Sequence, residues 1–305
     1  MSTPGLHIVT GAFGYSGRYI AQQVLDRGHR VRTLTGHPNR PNPFGDRVDV
    51  RPFAFDAPAT LVKNLRGATV LYNTYWVRFT RGGSSFDQAV ANTQTLIRAA
   101  VDAGVQRFVH ISITNPCADS PLPYFRGKAI VERMLSESRL SYAILRPTVL
   151  FGKEDILINN IAWLLRRLPI FGIFGSGQYR IQPVYVADLA ALAVELAEKT
   201  ENMVLDAVGP ETYTFENMVQ LIRSHVGSQA RLIHVPPALA LAAGRLIGWL
   251  LHDEVITRDE ISGLMADLLV SDKPPSCPTQ FSRWLAEHAA ELGTHYASEL
   301  RRHYI

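Results

Sequence analysis

The sequence predicts an α/β fold: a doubly wound parallel sheet with a smaller, mostly helical C-terminal domain. An apolar β-branched run, Leu6–Thr10, stops at a glycine cluster that a helical pattern follows. Strand-like and helical stretches then alternate to about residue 113, as in parallel sheets with right-handed crossovers, whereas the chain after Tyr213 is mostly helical in pattern. We expect residues 1–151 and 183–210 in the sheet domain and residues 152–182 and 211–305 in the smaller one.

The glycine cluster has the spacing GxxGxxG, formed by Gly11, Gly14 and Gly17. Between a buried strand and a helix start, such glycines are typical of a dinucleotide site. Gly11 allows the turn, Gly14 lets the backbone approach a pyrophosphate, and Gly17 lets the helix pack against the strand. The free N–H groups at the start of that helix would face the phosphates. A simple strand-to-helix turn is the alternative interpretation.

The end of the predicted second strand, His29–Thr35, bears on the choice of cofactor. An acidic residue at this position holds the ribose hydroxyls of NAD, whereas basic groups accommodate the additional phosphate of NADP. No acid follows Thr35, and Arg32, His37 and Arg40 are all close in sequence. The sequence therefore favours NADP over NAD, the alternative being that these charges are only solvated.

The remaining sheet elements continue the alternation. We predict a third strand ending before Asp56, a fourth at Val70–Tyr75 and a fifth at Arg107–Ile113, with a helix at Phe86–Ala103 between the last two. Because parallel strands share one carboxyl edge, Asn73 and Thr74 should lie beside the cofactor.

A chemical pair follows the fifth strand. The prolines of Pro121–Pro123 suit a helix entrance, after which Tyr124 and Lys128 stand four residues apart on one face. A lysine ammonium favours the phenolate form of a nearby tyrosine, whose unperturbed pKa is about 10. Tyr124 could therefore exchange a proton with a carbonyl or hydroxyl while hydride moves at a nicotinamide.

Taken with the strand ending near Ser112 and with LRPTVLFG at Leu145–Gly152, this pattern resembles the short-chain dehydrogenase/reductase superfamily. The resemblance is to its extended or atypical branches, which include nucleotide-sugar epimerases and NmrA-like proteins. The stretch Phe174–Asp188 and the segments Thr257–Ile261 and Leu292–Gly293 are similar to the group containing the nucleotide-binding accessory subunit of respiratory complex I. The resemblance spans nearly the whole chain and implies a Rossmann fold.

The resemblance also implies roles for single residues. Asp56 would contact the adenine, Tyr124 would be the acid/base, Lys128 would bind the nicotinamide ribose, and Pro147 with Thr148 would receive the carboxamide. With the residues named above, the expected cofactor-binding set is Gly11, Phe13, Gly14, Tyr15, Ser16, Gly17, Thr35, His37, Arg40, Asp56, Asn73, Thr74, Lys128, Pro147 and Thr148.

One departure concerns catalysis. Relatives usually end the fifth strand with two serines, the second bonding the substrate oxygen, but this chain has Ser112-Ile113. Ser112 or Thr114 would have to substitute, so the candidate catalytic residues are Tyr124, Lys128, Ser112 and Thr114. The favoured function is an NADP-dependent oxidoreductase or epimerase acting on an unidentified small carbonyl or hydroxyl compound. The alternative is a non-catalytic NADPH-binding protein with a structural or redox-sensing role.

The C-terminal half contains no residue pattern that indicates a particular chemistry. An amphipathic helix at Asp155–Leu168 is expected to cap the cofactor cleft together with residues 170–182, and a last strand is predicted at Asn202–Val208. The apolar window Ala238–Leu251 is shorter than the roughly 20 residues of a membrane span. It is interpreted as a packed helix, with a membrane-surface or partner-docking face as the alternative, and Trp163, Trp249 and Trp284 are interpreted as core residues.

Composition excludes several classes of protein. The net charge of +4 over 305 residues is scattered, which does not suggest a nucleic-acid interface. Cys117 and Cys277 show no CxxC spacing and the ten histidines show no ligand spacing, so neither a disulfide framework nor a metal site is expected. The N-terminus lacks the features of a signal peptide, and a cytoplasmic setting is predicted. Oligomeric state is not predictable from the sequence.

Overall fold

A computed structural model describes residues 4–303. Its strands are β1 (Leu6–Thr10), β2 (Arg30–Thr35), β3 (Val48–Pro52), β4 (Ala68–Asn73), β5 (Arg107–Ile111), β6 (Ser141–Pro147), β7 (Val149–Phe151), β8 (Ile170–Phe174), β9 (Arg180–Ile181), β10 (Pro183–Tyr185), β11 (Met203–Ala207), β12 (Tyr213–Thr214) and β13 (Arg231–Val235). Its α-helices are α1 (Tyr15–Asp26), α2 (Pro58–Leu65), α3 (Phe86–Asp102), α4 (Pro123–Ser136), α5 (Leu157–Arg167), α6 (Val186–Ala197), α7 (Phe215–His225), α8 (Pro237–Leu251), α9 (Arg258–Met265), α10 (Phe281–His288) and α11 (Glu299–His303).

The chain forms two compact units, and each contains two separate stretches of sequence. The first unit runs to Pro147 and includes Ala187–Asp206, while the second comprises Thr148–Val186 and the chain from Ala207 onward. The sequence placed the corresponding boundaries at residues 151, 183 and 210. The chain therefore crosses between the units three times.

The first unit is built on a seven-stranded sheet in the order β11-β6-β5-β4-β1-β2-β3. The five pairings among β1 to β6 are parallel, with β1 between β2 and β4. Ile8 and Val9 on β1 are fully buried, as expected for a central strand covered by helices on both faces. The predicted doubly wound parallel sheet is confirmed.

Several strands end earlier than the sequence suggested, among them the fifth, which stops at Ile111 rather than Ile113. Two of them have a local reason. The third strand stops at Pro52 rather than Phe55, because Ala54 has a left-handed φ of 53° that breaks the extended backbone. The fourth stops at Asn73 rather than Tyr75. The N–H groups of Thr74 and Tyr75 donate to the side chain of Thr10 instead of to a neighbouring strand.

The second unit packs helices α5, α7 and α10 around an apolar core that includes Phe151 and Phe281. It also contains strand pairs that the helical pattern did not predict, among them the parallel pair β8 and β13. Trp284 is buried, but Trp249 is 74% exposed, so its interpretation as a core residue was wrong. Within residues 4–303, none of the helices has the length and apolar character needed to cross a membrane.

Candidate functional site

The loop between β1 and α1 is shaped by its glycines. Gly11 has a φ of +65°, a conformation that favours glycine, and its carbonyl oxygen accepts a hydrogen bond from the N–H of Gly14 at 2.8 Å. A Cβ on Gly17 would stand 2.3 Å from that same carbonyl oxygen, and one on Gly14 would stand 3.2 Å from it. A side chain at Gly17 would therefore not fit and one at Gly14 would be crowded, as expected for a loop that approaches a pyrophosphate closely.

The start of α1 provides the donors for such a ligand. Gly14 occupies the N-cap position, no side chain caps the helix there, and its first turn contains no acid. Phe13, Tyr15 and Ser16 are partly exposed along the same loop. The uncapped N–H groups and the positive end of the helix dipole suit an anion such as a diphosphate.

The segment after β2 carries the candidates for cofactor discrimination. Thr35 is buried and its hydroxyl oxygen accepts a hydrogen bond from the N–H of His37. His37 and Arg40 are half-buried on the loop that follows. Arg32, considered as a third basic group, is not available, since its guanidinium donates to Asp49 at 2.7 Å and to the carbonyl oxygen of Asn64 at 2.7 Å.

An aromatic cluster stands at the ends of β3 and β4, where Asp56 is also found. Phe53 and Phe55 stack with ring centroids 4.8 Å apart, and the ring of Tyr75 lies 5.0 and 5.1 Å from them. The Tyr75 hydroxyl accepts a hydrogen bond from the amide of Asn92. Asp56, the expected adenine contact, is exposed one residue beyond Phe55.

A buried polar network links the ends of three strands. Thr10 on β1 donates to the side-chain oxygen of Asn73 on β4 at 3.2 Å and accepts from the N–H of Thr74 at 2.8 Å. The amide nitrogen of Asn73 lies 3.1 Å from Nδ1 of His110 on β5. Because that nitrogen is a donor, neutral His110 must carry its proton on Nε2. Asn73 is thus at the predicted edge, but it is fully buried and its side chain bonds within the protein.

His110 itself was not singled out in the sequence. It is fully buried, and burial, with the nearby charge of Lys128, holds its pKa well below the ordinary value. Its Nε2 has no hydrogen-bond partner among the residues that the structure describes. The apolar residues that flank it on β5 conceal it, because a histidine inside a buried strand is normally interpreted as core.

Tyr124 lies in the first turn of α4, in a wall of aromatic rings. Its ring meets those of Trp76 and Phe86 edge to face, with centroids 5.9 Å away in each case. Gly127 leaves room for this wall, because a Cβ there would come within 3.0 Å of the Trp76 ring. The sequence located Tyr124 but not the indole that flanks it, three residues beyond the end of β4.

Lys128 is one helical turn beyond Tyr124 and is almost completely buried, with 3% exposure. Its ammonium donates to the carbonyl oxygen of Ile111 at 2.8 Å and lies 4.5 Å from the centroid of the Trp76 ring. Burial lowers the pKa of Lys128 to about 7, although the charge of Glu132 opposes that shift. The lysine can therefore change charge near neutral pH, while the ring face and the carbonyl stabilise its charged form.

Glu132, another turn along α4, anchors this face of the helix. It accepts a paired hydrogen bond from Arg146 on β6, with Nη2 to Oε2 at 2.6 Å and Nε to Oε1 at 3.1 Å. The hydroxyl of Ser112 also donates to Glu132. The spacing Tyr124, Lys128, Glu132, four residues each time, is a signal that could have identified this anchor from the sequence.

The two hydroxyl groups considered as substrate donors are used inside the protein. Ser112 is 3% exposed and gives its proton to Glu132, while Thr114 is fully buried and donates to the carbonyl oxygen of Pro147 at 2.8 Å. This geometry argues against either hydroxyl as a donor to a substrate. Thr148, the first residue of the second unit, donates in turn to the carbonyl oxygen of Gln182.

The first unit therefore brings most of the predicted residues to one place. The glycine loop, the segment after β2, the ends of β3 to β6 and the start of α4 all follow the carboxyl ends of parallel strands. In open α/β sheets this edge is where ligands bind. Among residues 4–303, no cluster of three or more histidine, cysteine or acidic side chains could hold a metal ion.

Comparison with known proteins agrees with this arrangement. Residues 11–161 match a family model described as NAD(P)H-binding. The alpha subcomplex subunit 9 of mitochondrial NADH dehydrogenase [ubiquinone] 1 from Arabidopsis thaliana is 25% identical over 285 residues, which are 87% of this chain and 70% of that protein. A photosystem II assembly factor of Cyanophora paradoxa is 26% identical over 268 residues, or 84% of this chain and 81% of the relative.

Solved structures show the same fold. An NADPH-dependent quinone oxidoreductase from Escherichia coli, complexed with NADPH, superposes with a TM-score of 0.74 at 21% identity, covering 94% of this chain and 99% of that one. The chain thus contains an NAD(P)-binding Rossmann domain and is homologous to the complex I subunit. The predicted resemblance to the extended short-chain dehydrogenase/reductase branch is confirmed.

Proposed function

We propose, from the premise that the first unit is an NAD(P)-binding Rossmann domain, that this protein is an NADP-dependent oxidoreductase acting on a small carbonyl or hydroxyl compound. The observation that carries the proposal is the pairing of two residues on α4. Tyr124 lies in an aromatic wall, and Lys128, one turn away, is buried and has a pKa lowered to about 7. Burying an ammonium costs free energy unless the group is paired and hydrogen-bonded or loses its proton.

The roles of the residues follow from their chemistry. The glycine loop at residues 11–17 fits a diphosphate. His37 and Arg40 would bind the 2′-phosphate that distinguishes NADP from NAD. When bound, the nicotinamide supplies or takes a hydride. Tyr124 would give a proton to the developing alkoxide of a carbonyl substrate, or remove one from a hydroxyl. Lys128 would stabilise the phenolate that is left and bind the ribose beside it.

The test uses the purified chain and a panel of carbonyl compounds, with NADPH oxidation followed by absorbance. Tyr124→Phe removes only the hydroxyl, so turnover should fall at least about 100-fold while NADPH binding, measured by its fluorescence, is retained. Tyr142→Phe on β6 of the same unit is the matched control and should leave turnover unchanged. Unaltered turnover in Tyr124→Phe would contradict the assignment.

A second candidate is a protein that holds NADPH without turning it over. Its support is that Ser112 and Thr114 both give their protons to other protein groups, which leaves the usual substrate donor missing. Two of the relatives are named as a subunit of NADH dehydrogenase [ubiquinone] and as a photosystem II assembly factor, and these names describe a place in an assembly rather than a substrate. Tightly bound NADPH that no carbonyl oxidises would favour this candidate.

The cofactor preference has its own measurement. Competitive titration of NADP and NAD should show tighter binding of NADP, and Arg40→Ala should reduce the difference about tenfold by removing one charged contact to a phosphate. Tighter binding of NAD by the unaltered protein would reverse the preference. A cytoplasmic location remains a prediction.

A further inference from the structure

The helix α8 in the second unit presents a strongly apolar face to solvent. Leu239, Leu246, Trp249 and Leu250 are 60%, 61%, 74% and 61% exposed, the highest values among the large apolar side chains of the described chain. At 100° per residue these positions fall on one side of the helix, with the small Ala242 between them. We call these four residues the α8 face. Contiguous apolar surface of this kind marks an interaction site.

The opposite side of α8 is covered by the chain that follows the helix. Gly244 and Gly248 are its buried residues, and a Cβ at either would come within 2.7 Å of Ile256 or 2.5 Å of the carbonyl oxygen of Asp253. Both contacts are with the segment at residues 253–256 that follows α8, so this segment covers the glycine side of the helix. The Leu and Trp side chains are therefore presented outward by the packing of the glycines.

The charges that accompany the α8 face are mainly positive. Arg245 is exposed on its flank, and His252 is exposed at its C-terminal end. The exposed Arg301 lies at that same end, because the preceding residues of α11, Glu299 and Leu300, donate their N–H groups to the carboxylate of Asp253 at 2.9 and 3.0 Å.

The acids nearby offset little of this charge. Asp253 is 9% exposed and uses both oxygens as acceptors for helix N–H groups, and Glu299 is 3% exposed. Glu254, which follows Asp253, is partly exposed. The solvent-facing rim of the α8 face therefore carries two guanidinium groups, Arg245 on the flank and Arg301 at the C-terminal end, beside the partly exposed carboxylate of Glu254.

We propose that the α8 face docks on the surface of an anionic phospholipid membrane, with the apolar side chains in the headgroup boundary and Arg245 and Arg301 on lipid phosphates. Leucine and tryptophan favour this depth, since tryptophan places an apolar ring and a polar N–H at the interface. A second copy of the chain fits less well, because a two-fold dimer through this face would set the same basic rim against itself. The inference does not depend on the proposed function.

The experiment is co-sedimentation of the full chain with vesicles of phosphatidylcholine alone or mixed with phosphatidylglycerol. We expect binding to the mixed vesicles, weaker binding to phosphatidylcholine, and a decline with added salt. Leu246→Ser and Trp249→Ser should each weaken binding at least about tenfold, and Arg245→Glu should weaken binding to the mixed vesicles about fivefold or more. Bound protein should show a blue-shifted tryptophan emission that Trp249→Phe removes.

The matched control is Val101→Ser, an exposed apolar residue on α3 of the first unit, which should bind like the unaltered protein. Thermal melting of each variant checks that it is folded, which is expected because all the altered side chains face solvent. Failure to sediment with mixed vesicles, or equal binding by Leu246→Ser, overturns the proposal. A stable dimer that Leu246→Ser dissociates would also overturn it, because the α8 face would then bind a second copy of the chain. Binding of the chain only to an added acidic protein, and not to vesicles, would overturn it as well.

Discussion

The glycine loop at residues 11–17 and the Tyr124–Lys128 face of α4 serve the same edge of one sheet, but different forces shape them. The loop depends on the absence of side chains, because a Cβ at Gly17 would overlap the carbonyl oxygen of Gly11. The α4 face is defined by charges that are present, with Lys128 held by a carbonyl oxygen, a ring and a carboxylate one turn away.

This difference has a consequence for how each region responds to change. A steric constraint between backbone atoms cannot be relaxed by solvent, so the loop should tolerate almost no substitution. Electrostatic interactions are graded, because each partner can be weakened alone and protons can be added or removed. The experiments below test whether the two regions respond in these separate ways.

Gly17→Ala should have the largest effect. Its Cβ would stand 2.3 Å from the carbonyl oxygen of Gly11, so the loop must rearrange and dinucleotide affinity should fall by about 1000-fold, close to 4 kcal/mol. Calorimetric titration with NADPH measures it. Gly83→Ala is the control, since no atom lies within 4 Å of a Cβ there, and binding should not change. Normal affinity in Gly17→Ala would disprove the steric account of the loop.

Glu132→Gln should have the next largest effect, which is on the stability of the fold rather than on dinucleotide affinity. The change weakens the bond to Arg146 and leaves its charge without a carboxylate, so the free energy of unfolding should fall by about 2 to 3 kcal/mol. Urea denaturation measures the loss. Glu287→Gln removes the exposed partner of Arg283 and should cost less than about 0.5 kcal/mol. Equal losses in the two variants would mean that the α4 anchor is no stronger than a surface pair.

Lys128 should give the smallest effect, seen as a dependence on pH. Burial lowers its pKa from 10.5 to about 7, so between these values the unfolded chain binds more protons than the folded one. Stability should therefore rise with pH, by about 2 kcal/mol from pH 7 to pH 9 relative to Lys128→Met. The contribution is complete above the unfolded pKa and is lost as pH falls through about 7.

The measurement is urea denaturation of both proteins at several pH values. Groups that titrate in both proteins cancel in the difference, which isolates the lysine. Parallel curves for Lys128→Met and the unaltered chain would show that this side chain keeps its ordinary pKa and that the α4 face is not tuned by burial.

The sequence was sufficient for the parts of the fold that depend on short-range pattern. The strand–glycine–helix order around Gly11 and the four-residue spacing of Tyr124 and Lys128 both predict their local structure, since the first needs only backbone freedom and the second only helical periodicity. The strand ends were less predictable. Whether β4 continues past Asn73 depends on the side chain of Thr10, which is 63 residues away.

The site was predictable in position more than in chemistry. Nothing in the sequence around Ser112 shows that its proton goes to Glu132, or that Trp76 lies over Lys128, because both contacts join segments that only the sheet brings together. The same limit explains Trp249. An apolar window of fourteen residues predicts a packed helix. Which side of that helix is covered becomes clear only from the contacts of its glycines with the segment that follows.

The interleaving of the two units sets the order in which they can form on the ribosome. Arg107, 3% exposed on β5, donates to the carbonyl oxygens of Leu196 and Glu201, and β11 completes the sheet beside β6. A nascent chain ending near residue 147 lacks these carbonyl acceptors and keeps only the hydroxyl of Ser141 for Arg107, and its sheet lacks the edge strand β11. The nucleotide-binding unit can therefore mature only after about two thirds of the polypeptide has emerged, and a fragment cut at Pro147 should not fold independently.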